Sequence, residues 1–200
     1  MEETGDGFLA LPDSSDGDPM LDWWNVFGND RPVEIELGIG KGRFLIDAAE
    51  RMAEVNFVGI EWAAKYLRIA RYRAERRNLD NMRFVRTDAR EFVEFFVAAE
   101  SVQAYHIYFP DPWPKKRHHK RRLFDEDFVR EVERTLDWEG HLWLATDFVE
   151  YFEVMLESLE TSQYLKEVDR EWVGARTNYE QKYLAQGKPI HRRVLQKIPT

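Results

Sequence analysis

The stretch "VEIELGIGKGRFLIDAAER", residues 33–51, decides the fold class of the chain. Residues 33–37 form a short, largely apolar run that is typical of a buried strand, and the run breaks at Gly38. Residues 43–53 then place apolar side chains at helical spacing. A strand, a glycine turn and a helix in this order indicate the first half of a βαβ unit.

The same alternation continues along the chain. Further strands are predicted at residues 56–60, 82–86, 103–109 and 140–146, and helices follow them at 63–74, 89–98, 125–136 and 148–160. Residues 164–172 and 191–197 complete the pattern as a closing antiparallel pair. Alternating strands and helices predict an α/β fold with a mostly parallel, doubly wound sheet.

The first 31 residues differ in composition from the rest. Gly, Asp, Ser and Pro dominate without a period, which predicts a flexible tail at 1–31 before a single domain at 32–200. Residues 1–30 hold eight acids and no Lys or Arg, so the net charge of −8 lies there and the remainder is balanced. Trp23 and Trp24 are expected to dock on the domain, the alternative being that they cover a ligand.

Composition excludes several classes of protein. The chain has no cysteine, so disulfides, thiolate metal sites and cysteine nucleophiles are excluded. This is compatible with a reducing cytoplasm, which is the expected location. It has no apolar run long enough to span a membrane and no secretion signal, so no membrane contact is expected.

Acidic side chains recur where the predicted strands end. They are Glu36, Glu61, Asp88, Asp111 and Asp147. In a doubly wound sheet, ligands bind beyond the carboxyl ends of the strands. These five acids are therefore predicted to share one rim, although a single acid at such a position is more often a helix cap.

The glycine turn at Gly38, Gly40 and Gly42 is the predicted cofactor site. It lacks the dinucleotide fingerprint, because the third glycine would stand where Arg43 is, and it lacks the phosphate-binding loop. Glycine still allows close approach of the backbone to a ligand. The neighbouring Glu36 suits a cationic ligand better than a pyrophosphate. An ordinary strand-to-helix turn is the alternative.

Two further acids refine the cofactor prediction. Glu61 lies where a carboxylate can accept hydrogen bonds from both ribose hydroxyls, and Asp88 could accept a hydrogen bond from an adenine amino group. A pocket for adenine, ribose and a positive centre favours S-adenosylmethionine over NAD.

The segment "YFPDPWPKKRHHKRRLF", residues 108–124, joins an acid to a cationic run. Its three prolines hold Asp111 on a stiff turn beside the expected cofactor. Residues 115–122, called the basic segment below, contain six Lys/Arg, two His and no acid. They predict phosphate binding from a loop rather than a solvated face. His118 and His119 lack metal-ligand spacing, and no metal is expected. A second basic stretch at 65–77 is interpreted as a solvated helix face in preference to an RNA contact.

Three motifs carry a resemblance to a known family. "ELGIGKG" at 36–42, "PDPWPKKRHHKRR" at 110–122 and "TNYE" at 177–180 resemble the tRNA (guanine-N7-)-methyltransferases, over about residues 33–197. The resemblance implies a Rossmann-like class I fold, S-adenosylmethionine as cofactor, and methylation of N7 of a guanine in the tRNA variable loop. Family members often have a more basic N-terminal extension, from which the acidic tail departs.

The resemblance also implies roles for individual residues. The residues implied to bind the cofactor are Glu36, Gly38, Gly40, Glu61, Asp88 and Asp111. Asp111 is also implied to be the catalytic acid. The residues implied to bind the substrate and the RNA are Lys115, Arg117, His118, His119, Lys120, Arg121, Arg122 and Asp147. The guanine-side wall is Thr177, Asn178, Tyr179 and Glu180. In this interpretation Asp147 or Glu180 accepts from the guanine edge, and Trp113 or Tyr179 stacks on the base.

Three other classes compete with this interpretation. A pyrimidine-C5 methyltransferase needs a cysteine nucleophile, which the chain lacks. An amino-group methyltransferase would carry an Asp-Pro-Pro-Tyr type of motif, but Trp113 replaces the second proline. A non-enzymatic RNA-binding module would explain the basic segment without the acidic rim. The oligomeric state and the tRNA species are left open.

Overall fold

The computed structural model of the chain describes residues 4–5, 7–13, 19–171 and 177–199. One seven-stranded sheet runs through it, in the order β3-β2-β1-β4-β5-β7-β6. The strands are β1 Val33–Leu37, β2 Asn56–Ile60, β3 Met82–Val85, β4 Val102–Tyr108, β5 Leu136–Thr146, β6 Leu165–Glu167 and β7 His191–Lys197.

Strand direction confirms the predicted fold class. The first five strands pair in parallel, and β7 pairs antiparallel with both β5 and β6. The closing antiparallel pair is therefore present, with β6 shorter than predicted. Part of the predicted range 164–172 falls on Trp172, which lies outside the described residues.

Helices cover both faces of the sheet, as in a doubly wound fold. They are α1 Trp23–Phe27, α2 Arg43–Arg51, α3 Ala64–Glu75, α4 Ala89–Glu91, α5 Glu126–Thr135, α6 Val149–Leu159 and α7 Asn178–Ala185. One core joins α5 and α6 to Ile35 and Ile107, and the other joins α2 and α3 to Phe57. Because side chains alternate along a strand, β2, β3, β4 and β5 contribute to both cores. The central strand β1 contributes Val33, Ile35 and Leu37 to the first core only.

Several predicted boundaries were wrong. β5 begins at Leu136 rather than residue 140, because α5 runs directly into the strand and Glu139, with φ 64°, absorbs the register shift. The predicted helix 89–98 stops being α-helical at Phe92 and continues as a π-helix to Phe96. Lys116–Arg121, predicted as a loop, forms a 3-10 helix that the Arg122 N–H closes on the His119 carbonyl.

The described parts of the N-terminal segment pack against the domain. Phe8 and Leu9 are buried, and the Leu9 N–H donates to the Phe84 carbonyl at 2.8 Å on the outer edge of β3. Trp23 is partly buried against the core, whereas Trp24 is 58% exposed, so only one of the two tryptophans docks as expected. The division into a tail at 1–31 and a domain at 32–200 stays a prediction. Within the described residues, no helix is both long and apolar enough to cross a membrane.

We expect that Gly42→Ala destabilises the fold more than a matched glycine substitution. Gly42 has φ 68°, and an added Cβ would lie 2.8 Å from the Ala70 Cβ on α3. Left-handed backbone costs an alanine roughly 1–2 kcal/mol, and overpacking adds roughly 1–3 kcal/mol.

Gly187→Ala is the control, because Gly187 has φ 65° with open space around it. Urea unfolding should therefore show a larger loss for Gly42→Ala. Equal losses would contradict the close contact between the glycine turn and α3.

Candidate active site

The parallel strands bring the five predicted acids to one rim. Glu36 lies near the end of β1, Glu61 directly after β2, and Asp147 directly after β5. Asp88 and Asp111 each follow their strand by three residues. Since all these strands end at the same edge of the sheet, the rim is acidic as predicted.

The glycine turn is fixed to the end of β2. The Glu61 Oε2 accepts from the Gly40 N–H at 3.0 Å, and its Oε1 accepts from the Ala63 N–H at 2.8 Å. The Gly38 N–H donates to the Ile60 carbonyl at 2.8 Å. Gly38 and Gly40 have φ 84° and 52°, and apart from the adjoining residues no atom lies within 4 Å of where a Cβ would be. The turn therefore offers backbone that a ligand can approach closely.

Glu36 is a buried acid with an available acceptor. Burial raises the pKa of its carboxyl to about 8, the hydrogen bond from the Leu45 N–H opposes this rise, and the charge of Glu61 adds to it. Among the described residues, no group donates to its Oε2. A cationic ligand would stabilise the carboxylate form. The buried acid and the open glycine turn thus fit S-adenosylmethionine, which is positively charged at its sulfonium.

Asp88 caps α4. Its Oδ1 accepts from the backbone N–H groups of Arg90 and Glu91 at 2.8 and 3.3 Å. This is the ordinary role of an aspartate before a helix. A contact between Asp88 and adenine stays a prediction.

The loop around Asp111 has two residues in left-handed backbone. Phe109 has φ 52° and Trp113 has φ 41°, and Asp111 is exposed between them. The Phe109 N–H donates to the Ala145 carbonyl at 2.7 Å, which fixes the loop to the end of β5. Such backbone is uncommon outside glycine and occurs preferentially at functional sites.

Part of the basic segment supports this loop. The Arg122 Nε donates to the Pro112 carbonyl at 2.9 Å, and its guanidinium lies 4.8 Å from the Tyr151 ring. The Arg121 guanidinium lies 5.0 Å from the Trp113 ring, which the His118 ring meets edge-on. These three side chains were predicted to contact RNA, and the structure gives them contacts within the loop.

The other cations of the basic segment face solvent. Lys115, Lys116, Arg117, His119 and Lys120 are all exposed. In the part of the chain that the structure describes, no group of His, Asp and Glu side chains could hold a metal ion. The exposed half of the segment is thus available to a polyanion.

The predicted guanine-side wall forms the start of α7. Thr177 caps this helix, and its Oγ1 accepts from the Glu180 N–H at 3.1 Å. Tyr179 is 55% exposed, and its ring centre lies 6.2 Å from that of Phe109. Tyr183, one turn further, lies 5.7 Å from Phe109. Sequence reasoning missed Phe109 and Tyr183, although Tyr183 repeats Tyr179 at helical spacing.

One ion pair joins the wall to the closing strand, and another joins Asp147 to the segment before that strand. Glu180 is fully buried and pairs with Arg192 of β7. The Lys188 Nζ lies 3.9 Å from the Asp147 Oδ2 and 4.6 Å from the Tyr183 ring centre. Burial and the nearby Asp147 charge raise the pKa of Tyr183. Sequence reasoning also missed Lys188 and Arg192, for which the chain carries no motif.

A buried polar chain lies beneath the rim. The His106 Nε2 is 2.8 Å from the Glu34 Oε2, and its Nδ1 is 2.7 Å from the Tyr108 hydroxyl. Burial and the charges of Glu36 and Glu34 raise the pKa of Tyr108. The charge of Glu36 acts on these polar groups, and no motif in the sequence indicates their arrangement.

The fold and the rim define a Rossmann-like class I methyltransferase. A family profile described as a putative methyltransferase matches residues 30–193. The 16S rRNA methyltransferase KamB has a similar structure, with a TM-score of 0.65 at 11% identity over 90% of this chain and 95% of its own. At that identity the likeness supports the fold alone.

Sequence relatives identify the family within that class. A tRNA (guanine-N(7)-)-methyltransferase of Geobacillus thermodenitrificans is 40% identical over 179 residues, covering 85% of this chain and 82% of the relative. One from Listeria monocytogenes is 40% identical over 177 residues, with the same coverage. The chain belongs to the tRNA (guanine-N7-)-methyltransferase family, which confirms the resemblance found in its motifs.

We predict that Glu36 makes stability depend on pH in a defined direction. The unfolded carboxyl releases its proton near pH 4.5, whereas the folded one holds it to about pH 8. Between these values the folded state binds more protons, so the free energy of unfolding falls as pH rises.

Urea unfolding without cofactor should show this decline for the wild-type protein relative to Glu36→Gln, with a slope approaching about 1.4 kcal/mol per pH unit. Parallel curves for the two proteins would contradict the raised pKa.

Proposed function

We propose that the protein transfers the methyl group of S-adenosylmethionine to N7 of a guanine in the variable loop of tRNA. The observation that carries the proposal is the position of Asp111. It is one of the rim acids, and it is exposed on a loop with three prolines that leads directly into the basic segment. The membership in the tRNA (guanine-N7-)-methyltransferase family supports the same reaction.

The chemistry needs positioning more than acid or base strength. Guanine N7 has a lone pair and no proton, so it can attack a methyl group without a general base. Holding the two reactants in line and stabilising the charge that develops are the remaining requirements. The methylated base is cationic, and the Asp111 carboxylate is the group we assign to its stabilisation.

The cofactor would be held by the glycine turn and the rim acids. Gly38 and Gly40 would contact it through their backbone, Glu61 and Asp88 through their carboxylates, and Glu36 through its available oxygen. When bound, S-adenosylmethionine supplies the electrophilic methyl group. Because Glu36 has a pKa of about 8, it would release its proton as the cation enters.

The RNA side would be divided between two groups of residues. Lys115, Arg117, His119 and Lys120 would contact phosphates, while Arg121, Arg122 and His118 would chiefly support the loop. A guanine that leaves its stack could rest against Tyr179. Asp147 would accept hydrogen bonds from its N1–H and amino group in preference to Glu180, because Glu180 is fully buried and pairs with Arg192. We expect this reaction in the cytoplasm and without a metal.

One assay tests the reaction itself. Purified protein is incubated with labelled S-adenosylmethionine and unmodified tRNA, and the product is treated with borohydride and aniline. Strand scission at a variable-loop guanine is expected, because this treatment cleaves at N7-methylguanine. Methylated tRNA that resists scission would instead favour an amino-group methyltransferase.

We predict that Asp111→Asn lowers kcat by about 100-fold or more, as expected when a group that stabilises the transition state is removed. Its dissociation constant for tRNA should change little, because the basic segment is intact. Asp30→Asn, which alters an exposed acid before β1, is the control. Undiminished turnover in Asp111→Asn would contradict the assignment of Asp111 as the catalytic residue.

A further inference from the structure

A groove between α2 and α3 adjoins the site described so far. It has a volume of about 360 Å³, and Arg43, Arg73 and Arg77 are among the residues that line it. Asp47, Glu50 and Asn178 also line it. Residues Arg43, Arg73, Arg77 and the adjacent Lys41 are called the arginine groove below.

The groove carries an excess of positive charge. Glu50 lies 3.5 Å from the Arg77 Nε, and Asp47 lies 3.0 Å from the Arg51 Nε outside the groove. Within the described residues, Arg43 forms no ion pair, and it is exposed. Two acids therefore face the three arginines that line the groove, and one of these acids pairs with Arg51 outside it. A surface of this kind attracts polyanions.

The groove adjoins the candidate active site at two points. Arg43 directly follows the glycine turn, and the Arg73 Nη1 donates to the Lys41 carbonyl within that turn at 3.0 Å. Asn178, which lines the groove, is itself part of the predicted guanine-side wall at the start of α7. An RNA strand with one base in the active site would therefore pass within reach of the groove.

Exposed aromatic rings accompany these cations on α3. Tyr66 and Tyr72 are 42% and 59% exposed, with the Lys41 Nζ 6.0 Å from the first ring and the Arg76 guanidinium 5.9 Å from the second. Alternating cations and aromatic rings are typical of surfaces on which unpaired bases stack. An interface for another protein would be expected to be depleted in charge at its centre, which this surface is not.

We propose that the arginine groove is a second contact surface for the phosphate backbone of the RNA substrate, separate from the basic segment. This inference rests on the proposed function, since it takes tRNA as the substrate. The basic segment follows β4, whereas the groove follows β1. The two surfaces would hold the RNA on either side of the base that reacts.

The double variant Arg43→Glu/Arg77→Glu tests the groove. Fluorescence anisotropy with unmodified tRNA should show a dissociation constant raised about tenfold or more at low salt. The slope of log affinity against log salt should become shallower by about 1 to 2, because two phosphate contacts are lost. The KM for tRNA should rise in parallel.

A charge-matched control is available at the opposite rim of the sheet. Arg31 precedes β1. Lys166 of β6 pairs with Gln196 of β7, which in turn pairs with His141 in β5. Both cations are exposed. Arg31→Glu/Lys166→Glu changes the net charge equally but should keep the dissociation constant within about twofold of wild type. Thermal unfolding of both variants checks that they remain folded.

The outcomes separate the two proposals. Equal affinity and equal salt slope in the groove variant and the control would overturn the proposal that the groove contacts RNA. The proposed methyl transfer would still be supported if aniline cleaves the wild-type product. Wild-type protein that yields no N7-methylguanine would overturn the proposed function and the groove with it. Selective loss of affinity in the groove variant supports the groove, and scission of the wild-type product supports the function.

Discussion

The hydrogen bond from the Gly40 N–H to the Glu61 carboxylate is the constraint on which the candidate site depends. It ties a turn with three glycines in left-handed backbone to the end of β2, while the Gly42 Cα approaches Ala70 on α3. The turn therefore cannot move independently of β2 or α3. This fixes the open side of the turn, and the buried Glu36 beneath it, toward the same rim.

Charge is separated on this rim in a way that suits two different ligands. The acids of β1 and β2 lie at the glycine turn, whereas exposed cations follow β4 and lie along α2 and α3. A cationic cofactor and a polyanionic substrate would therefore be attracted to adjoining places without competing. The protonated state of Glu36 near pH 7 avoids burying an uncompensated charge before the cofactor arrives. The net charge of −8 does not describe either surface, because the acids of the N-terminal segment dominate it.

The sequence predicted the fold and the position of the rim because both depend on local patterns. Apolar periodicity located the first five strands, and the glycines and prolines marked the turns that follow β1 and β4. It could not predict that Arg121 and Arg122 would turn back onto Trp113 and Pro112, since a run of cations has no periodicity. Nor could it predict the pairs Glu180–Arg192 and Asp147–Lys188, because each joins residues brought together only by the folded chain.

The closing strand β7 contributes to the site, although its sequence carries no motif that indicates this. β7 runs antiparallel to β5, so its first residues, rather than its last, lie at the carboxyl rim. Arg192 at this end pairs with the fully buried Glu180, and a buried carboxylate without a partner would be strongly destabilising. The pair thus holds the first turn of α7, and with it Tyr179, against Phe109 at the Asp111 loop. A parallel strand in this position would have placed its first residues at the opposite rim, so the reversal of β7 is what brings Arg192 to α7.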